Sequence, residues 1–262
     1  MSERISLKER LGRGEVCFGP FAKLTDPAAV EVLALAGFDH VIIDMEHGPV
    51  SVQAAQDLIR AAQLRGMAPV ARVPRNDASD ILRVLDIGAE GVHVPQIATA
   101  EDARAAVEAC YFHPEGTRGV CRFVRAADYA ARPAQEHFAE ANRRTLPVLH
   151  IEGQEGIANL PEILSVPGIG VVFVGPYDLS QSCGVPGQVQ HPMVIERMRH
   201  AVGLARDRGA VVGTFIEDAE GARVWAGAGV QYLCYSVDVG ILMAAAKRAV
   251  GELRRAVEGP SP

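Results

Sequence analysis

Strand-like runs alternate with helical stretches eight times along 262 residues, and this rhythm predicts a closed (β/α)8 TIM barrel, with 1–262 as a single domain. Two further observations support it. Most of the strand-like runs are continuously apolar, as parallel strands buried on both faces must be. The length and the 48% hydrophobic content suit one large core. A doubly wound open sheet is the alternative, but it would want a glycine-rich phosphate loop after a strand, and the chain has no GxGxxG.

The units run in order. "EVCFGPF" precedes "DPAAVEVLALAG", and "DHVIID" precedes "SVQAAQDLIRAAQLRG". "APVARV" precedes "DASDILRVLDIG", and "GVHVPQI" precedes "TAEDARAAVEACY". "LPVLHIE" precedes "GIANLPEILSV". "GVVFVGP" leads through a short turn to "HPMVIERMRHAVGLARDRG". "AVVGTFI" precedes "DAEGARVWAGAG", and "QYLCYSV" precedes "DVGILMAAAKRAVGELRRAV". Glycines in "LAGFD", "DIGAE", "DRGA" and "GAGVQ" end helices just before the next strand. Between units four and five lies the irregular piece "FHPEGTRGVCRFVRAADYAARPAQEHFAEANRR", long enough to be functional or to hold small helices. The closing "GPSP", 259–262, reads as a loose tail.

Charge and composition exclude several function classes. A net charge of −6 with no basic stripe argues against nucleic acid. No run reaches the ~18 apolar residues that would span a bilayer. The charged start "MSERISLKERLGRGEV" lacks a signal-type apolar core, so a cytoplasmic location is the default. The five cysteines (Cys17, Cys110, Cys121, Cys183, Cys234) form no CxxC pair; most read as small buried hydrophobes.

In a barrel of this kind, catalytic groups come from the C-terminal ends of several strands. Strand 2 ends in Asp44-Met45-Glu46-His47, strand 3 in Arg72, strand 5 in Glu152, and strand 6 in "GPYDLS" with Asp178. Any one of these could be a solvated rim residue; four strands delivering ionic groups to one rim suggest a site. Glu152 and Asp178, on neighbouring strands, suit a hard divalent ion whose shell is completed by water or substrate oxygen. The competing reading pairs one of these acids with Arg72 and leaves no ion. Gly175-Pro176 turns the chain, and the free N–H groups of the helical turn near Asp178 could hold a small carboxylate. His47 next to Asp44 reads as a general base held by an acid, against the alternative of a core histidine satisfied by a carbonyl.

The segments "AGFDHVIIDMEHGP", "PVARVP", "VLDIGAEGVHVPQI", "HPEGTRGV", "IEGQEGIANL" and "GVVFVGPYDLS" together resemble the HpcH/HpaI family, the metal-dependent (class II) pyruvate aldolases of the 4-hydroxy-2-oxoheptanedioate aldolase type. The match covers nearly the whole chain in order and spacing. The resemblance implies a barrel whose last helix is exchanged with a neighbour, in a homo-oligomer that is usually a hexamer of three dimers. It implies reversible cleavage of a 4-hydroxy-2-oxo acid to pyruvate, or hydroxypyruvate, and an aldehyde. Residue by residue, it makes Glu152 and Asp178 ligands of magnesium or manganese, with cobalt a further candidate. His47 becomes the base, paired with Asp44, and Arg72 the holder of the pyruvate oxygen. Asp86, locally a helix-end acid, would complete the neighbouring subunit's site.

This chain departs from the family's usual pattern at His150, where relatives often have Gln, and at Tyr177, where a small residue is usual. Phe21 replaces a frequent Trp, and Phe215 takes an apolar substrate-side position. The loop "GVCRFVRAADY" is unusually cationic. These differences bear on the aldehyde, not on the catalytic set; Gly175, Pro176, Tyr177, Phe21 and Phe215 are the expected substrate-side residues.

Three rival functions stay open. A class I aldolase would form a Schiff base on a lysine, and of Lys8, Lys23 and Lys247 only Lys23 follows a strand. In "FAKLTDP", nearby Asp26 would hold its charge on. A related lyase acting on a CoA thioester would need a cationic groove, hinted at by "TRGVCRFVR". A non-catalytic acid-binding barrel would be expected to have lost one of His47, Arg72, Glu152 or Asp178, and all four are present.

Overall fold

Residues 5–258 are described by a computed structural model of the chain; the tail expected at 259–262 lies outside them. Strands β1 (Cys17–Ala22), β2 (His40–Asp44), β3 (Ala68–Arg72), β4 (Gly91–Val94), β5 (Leu146–Ile151), β6 (Val171–Val174), β7 (Val212–Ile216) and β8 (Tyr232–Val237) are all parallel. Each pairs with the next, and β8 returns to β1 to close the barrel. Closure leaves no unpaired edge, so every second side chain points into a sealed interior.

The helices are α1 (Leu7–Gly12), α2 (Pro27–Leu35), α3 (Val52–Leu64), α4 (Ala78–Asp86), α5 (Ala100–Cys110), α6 (Ala134–Arg144), α7 (Gln154–Ala158), α8 (Leu160–Ile163), α9 (Pro176–Ser182), α10 (Pro192–Asp207), α11 (Ala219–Gly227) and α12 (Asp238–Glu258). Their starts are set by local chemistry. Asp26, Ser51, Asp77 and Asp218 accept hydrogen bonds from first-turn N–H groups, and Thr99 with Asp102 forms a reciprocal capping box. Their ends follow the glycine signals: Gly37, Gly88, Gly209 and Gly229 all take positive φ just past a helix. The long piece before β5 holds a 3-10 turn, Arg125–Ala130, and α6.

Two apolar layers result. The larger lies between the strands and the surrounding helices, with Val41, Ile43, Leu58, Ile59, Val92 and Val172 in it. The smaller fills the barrel: Ile42, Val70, Val148, Val171 and Phe173 face inward, joined by Leu7 and Leu11 of α1. The charged start of the chain gave no warning of that role. Ser6 caps α1 by accepting from the Glu9 N–H, and Leu7 and Leu11, four apart and so on one face, are 1% and 2% exposed. Gln231 Nε2 donates to the Leu11 carbonyl and the Leu7 N–H donates to Glu90 Oε1, pinning the plug under the strands. At the same level β1 and β2 approach so closely that a Cβ on Gly19 would sit 2.1 Å from the His40 carbonyl oxygen, so only glycine fits.

Helix α12 is the exception to the two-layer scheme. Its partly buried Ile241 packs on the outer core, while Leu242, Met243, Leu253 and Val257 are 60%, 57%, 67% and 88% exposed.

Truncation of the plug tests its contribution. Leu11→Ala should lower the free energy of unfolding by about 2–5 kcal/mol, the usual cost of emptying a buried leucine site. A urea titration with an unchanged slope would report it; a loss below about 0.5 kcal/mol, the ordinary range for a surface change, would show that the plug contributes little.

Candidate active site

A cavity of about 610 Å³ opens where the strands end, and Asp44, His47, Arg72, Glu152 and Asp178 all line it. Phe21, Gly175, Pro176, Tyr177 and Phe215 line it too, so every expected site residue except Asp86 is brought to one place. Asp86 is the last residue of α4, away from this cavity, and its carboxylate accepts from Arg118 Nη2 at 2.7 Å.

Strand pairing sets the centre of the site. Asp44 and Arg72 are partners across β2 and β3, both pointing inward at the top of the barrel. Arg72 Nε and Nη2 donate to the two oxygens of Asp44 at 2.9 and 2.8 Å, and Nη1 lies 3.1 Å from Glu46. Phe21 covers the guanidinium at 4.7 Å. A guanidinium has five N–H donors; three face Asp44 and Glu46, so two stay available for an oxygen in the cavity. Burial alone would raise Asp44, but the hydrogen bonds and charge of Arg72, the His47 N–H and Lys23 hold it below the usual carboxylate range.

The expected pairing of His47 with Asp44 needs correction. Asp44 touches His47 only through the backbone N–H, 3.1 Å from Oδ1; its carboxylate is taken by Arg72. The His47 side chain is 57% exposed, and its nearest acid is Glu46, with Nε2 to Oε2 at 3.8 Å. The reason is the bend after β2: the inward direction ends at Asp44, and three residues on, the chain has turned outward. His47 stands at the cavity mouth as a solvent-accessible imidazole.

Lys23 also lines the cavity, and Nζ lies 3.6 Å from Asp44 Oδ2. The acid beside its ammonium is Asp44 rather than the expected Asp26, which is occupied in capping α2. Asp238 fixes the Lys23 backbone by accepting from the N–H groups of Lys23 and Leu24.

Glu152 and Asp178 differ in their surroundings. Glu152 is 8% exposed. Its Oε1 accepts from the Gln96 N–H at 2.7 Å, and its Oε2 lies 3.2 Å from His150 Nδ1. Burial pushes the group up, but His150, the Gln96 N–H and Arg72 outweigh it and hold the carboxyl below its ordinary range. Gln96 presents that N–H from a left-handed backbone, φ 57°, a cost non-glycine residues bear mainly where something is gained. A Cβ at Gly175 would lie 3.1 Å from Glu152 Oε2, so glycine keeps the space beside that oxygen open. Asp178, exposed in the first turn of α9, hydrogen-bonds no neighbour among the described residues. An ionised, anchored Glu152 beside an uncommitted Asp178 is an all-oxygen donor pair that fits a hard divalent cation with open positions. No cluster of three or more His, Cys, Asp or Glu suited to an ion exists among the described residues, so water and substrate would supply the rest of the shell.

Opposite lies an aromatic wall. Tyr177 meets Phe215 edge-on at 5.8 Å, Phe215 meets Phe21 at 6.1 Å, and the Tyr177 hydroxyl donates to Glu217 at 2.7 Å.

Glu46 sits in the quoted stretch at the end of strand 2 but drew no role from the sequence. In the fold, burial pushes it up to about 7, with the negative charges of Glu152, Asp44 and Asp178 adding to this against the pull of Arg72. Local sequence shows only Asp44, two residues before it; Glu152 and Asp178 come from beyond other strands and the burial comes from the closed barrel.

Comparisons with known proteins place the chain in a family. The sequence profile of the family "HpcH/HpaI aldolase/citrate lyase" matches residues 18–245. A hydroxypyruvate/pyruvate aldolase of Roseobacter denitrificans is 33% identical over 239 residues, 91% of this chain and 93% of that one. A 5-keto-4-deoxy-D-glucarate aldolase of Citrobacter koseri is 31% identical over 248 residues, 95% of this chain and 96% of that one. The crystal structure of an HpcH/HpaI aldolase/citrate lyase family protein from Burkholderia cenocepacia superposes with a TM-score of 0.90 at 34% identity, covering 95% of this chain and 98% of that one.

The raised Glu46 gives a pH-dependent outcome. Its unfolded value is about 4.3 and its folded value about 7. Between them the folded state keeps a proton that the unfolded state gives up, so ionisation costs the wild type stability as pH rises through this window. Thermal melts in chelator from pH 5 to 8 should show Glu46→Gln gaining on the wild type up to pH ~7 and level beyond it. A constant difference across the range would mean that Glu46 titrates normally.

Proposed function

Because the chain belongs to the HpcH/HpaI aldolase/citrate lyase family, we propose that it is a class II pyruvate aldolase, cleaving a 4-hydroxy-2-oxo acid reversibly to pyruvate or hydroxypyruvate and an aldehyde. It is a carbon–carbon lyase, and small molecules are its substrates. The observation that carries the proposal is the anchored Glu152 and the uncommitted Asp178 sharing a cavity with an arginine that has donors to spare.

In this reading Glu152 and Asp178 hold magnesium or manganese. The ion would supply Lewis acidity to the keto oxygen of the oxo acid. Arg72, fixed by Asp44 and Glu46, directs its remaining N–H groups at the same oxygen, where negative charge grows as the C–C bond breaks. The first-turn N–H groups of α9 orient the substrate carboxylate. His47, at the mouth, takes the proton from the C4 hydroxyl in cleavage and returns it in addition, through water. General-base help of this kind contributes ~10²–10⁴-fold, so charge stabilisation by Arg72 and the ion supplies much of the rest. The wall of Phe21, Phe215 and Tyr177 faces the aldehyde end, and the Tyr177–Glu217 pair gives it one polar edge.

The same proposal covers the assembly. Apolar side chains along α12 and the remoteness of Asp86 from its own cavity support a homo-oligomer, a hexamer in the family's pattern, in which α12 is exchanged and Asp86 completes a neighbour's site. Five free cysteines, three of them buried, and the absence of a membrane-crossing helix among the described residues support a cytoplasmic setting.

The Schiff-base alternative depends on Lys23, which must lose its proton to attack a carbonyl, yet sits 3.6 Å from the buried Asp44 carboxylate. Chelator should therefore abolish turnover, and added manganese should restore it, while pyruvate with borohydride leaves the intact mass unchanged. A pyruvyl-sized adduct on Lys23 with chelator-insensitive activity would overturn the proposal. Sedimentation velocity should find an oligomer; a fully active monomer would remove Asp86 from the site.

A further inference from the structure

The barrel interior holds a polar feature that the aldol chemistry does not use. Tyr232, His93 and His150, from β8, β4 and β5, are 0%, 0% and 1% exposed. The Tyr232 hydroxyl lies 2.7 Å from His93 Nε2, His93 Nδ1 lies 2.6 Å from His150 Nε2, and His150 Nδ1 lies 3.2 Å from Glu152 Oε2. Four side chains are thus joined in one row that crosses the barrel and ends on a carboxylate of the site. Neighbouring rings restrict their rotation: His150 stacks on Phe173 at 4.5 Å, and His40 stacks on Tyr232 at 4.2 Å.

The row has a direction. An ionised carboxylate only accepts, so His150 donates its Nδ1–H to Glu152. A neutral His150 then offers Nε2 as an acceptor, and His93 must donate its Nδ1–H there. That leaves His93 Nε2 bare, and the Tyr232 hydroxyl donates to it. With both rings neutral this is the single self-consistent arrangement. Burial holds His93 well below the usual imidazole range, so that ring is neutral.

We propose that Tyr232, His93 and His150 are positioning residues, a one-way row of donors that holds the Glu152 carboxylate in a single orientation for its cation. His150 secures Oε2 and the Gln96 N–H secures Oε1, so neither oxygen can swing away. None of the three needs to touch substrate. The inference rests on the reading of Glu152 as a metal ligand. It also predicts which substitutions at position 150 keep the row intact. A glutamine there can donate its amide N–H to Glu152 and accept from His93 Nδ1 through its carbonyl, which keeps the direction; leucine can do neither. Tyr232→Phe removes only the terminal donor and keeps the ring.

Two measurements test it. In metal-free protein labelled with ring ¹⁵N-histidine, NMR should find His93 and His150 each protonated on Nδ1 and bare on Nε2. A doubly protonated His150, or protons on Nε2 of either ring, would overturn the row. Calorimetric titration with Mn²⁺ should then show His150→Leu binding about 10–100-fold more weakly, the usual effect of losing a group that orients a metal ligand. His150→Gln should recover most of that loss, and Tyr232→Phe should weaken binding by a smaller factor. Equal Mn²⁺ affinity in wild type, His150→Leu and Tyr232→Phe would overturn the positioning role. Failure of the wild type to bind Mn²⁺, with Glu152→Gln indistinguishable from it, would instead overturn the metal reading, and the tautomer pattern would still decide the row. Circular dichroism of each variant separates misfolding from lost positioning, and the NMR arm needs no variant.

Discussion

The carboxylate of Asp44 organises the top of the barrel. It is fully buried, and it accepts from two nitrogens of Arg72 and from the backbone N–H groups of Glu46 and His47, with Lys23 Nζ 3.6 Å away. A buried charge with fewer partners would be costly, and removing one member of such a pair typically costs 3–5 kcal/mol. Because Asp44 and Arg72 are register partners on adjacent strands, the barrel's own hydrogen bonding sets their spacing. The rest of the site is built outward from that pair. Arg72 is immobilised with donors left over, Lys23 is drawn to within 3.6 Å of the pair, and the chain is bent so that His47 emerges at the mouth.

A second principle governs the interior below. Small barrels usually fill with branched aliphatic side chains in layers, and the lower part here does so with Ile42, Val70, Val148 and Val171. Beside them stand the rings of His93, His150, Tyr232 and Phe173, with Tyr232 at the start of β8 and His150 near the end of β5. A half-satisfied polar network in a core is worse than an apolar one, and here the link between His93, His150, Tyr232 and Glu152 is complete. The row joins Tyr232, at the start of β8, to the Glu152 carboxylate that lines the cavity.

One chain by itself leaves two things unpaired with their apparent purpose: the exposed apolar side chains of α12, and Asp86, held by its own Arg118 far from the cavity. Both fit the proposed assembly, in which burial of α12 and delivery of Asp86 are consequences of one association. In the single chain the Arg118 hydrogen bond holds the Asp86 carboxylate in one orientation.

The amino-acid sequence by itself determined the architecture. Eight apolar strands, capped helix starts and glycine helix ends are local signals, each written within a few residues, and all four quoted glycine stops proved to be positive-φ ends. It also determined which strand ends carry ionic groups, since an acid closing a greasy run is visible in one dimension. Only the tertiary structure decided who pairs with whom. Asp44 binds Arg72 rather than the imidazole of His47 three residues on, because the β2–β3 register is a non-local fact and a bend turns His47 outward. The plug helix α1 was hidden because two leucines in a charged segment look like surface until a barrel floor exists to receive them. The raised Glu46 and the donor row to Glu152 were hidden for the same reason: each depends on groups from several strands, which meet only when the sheet closes.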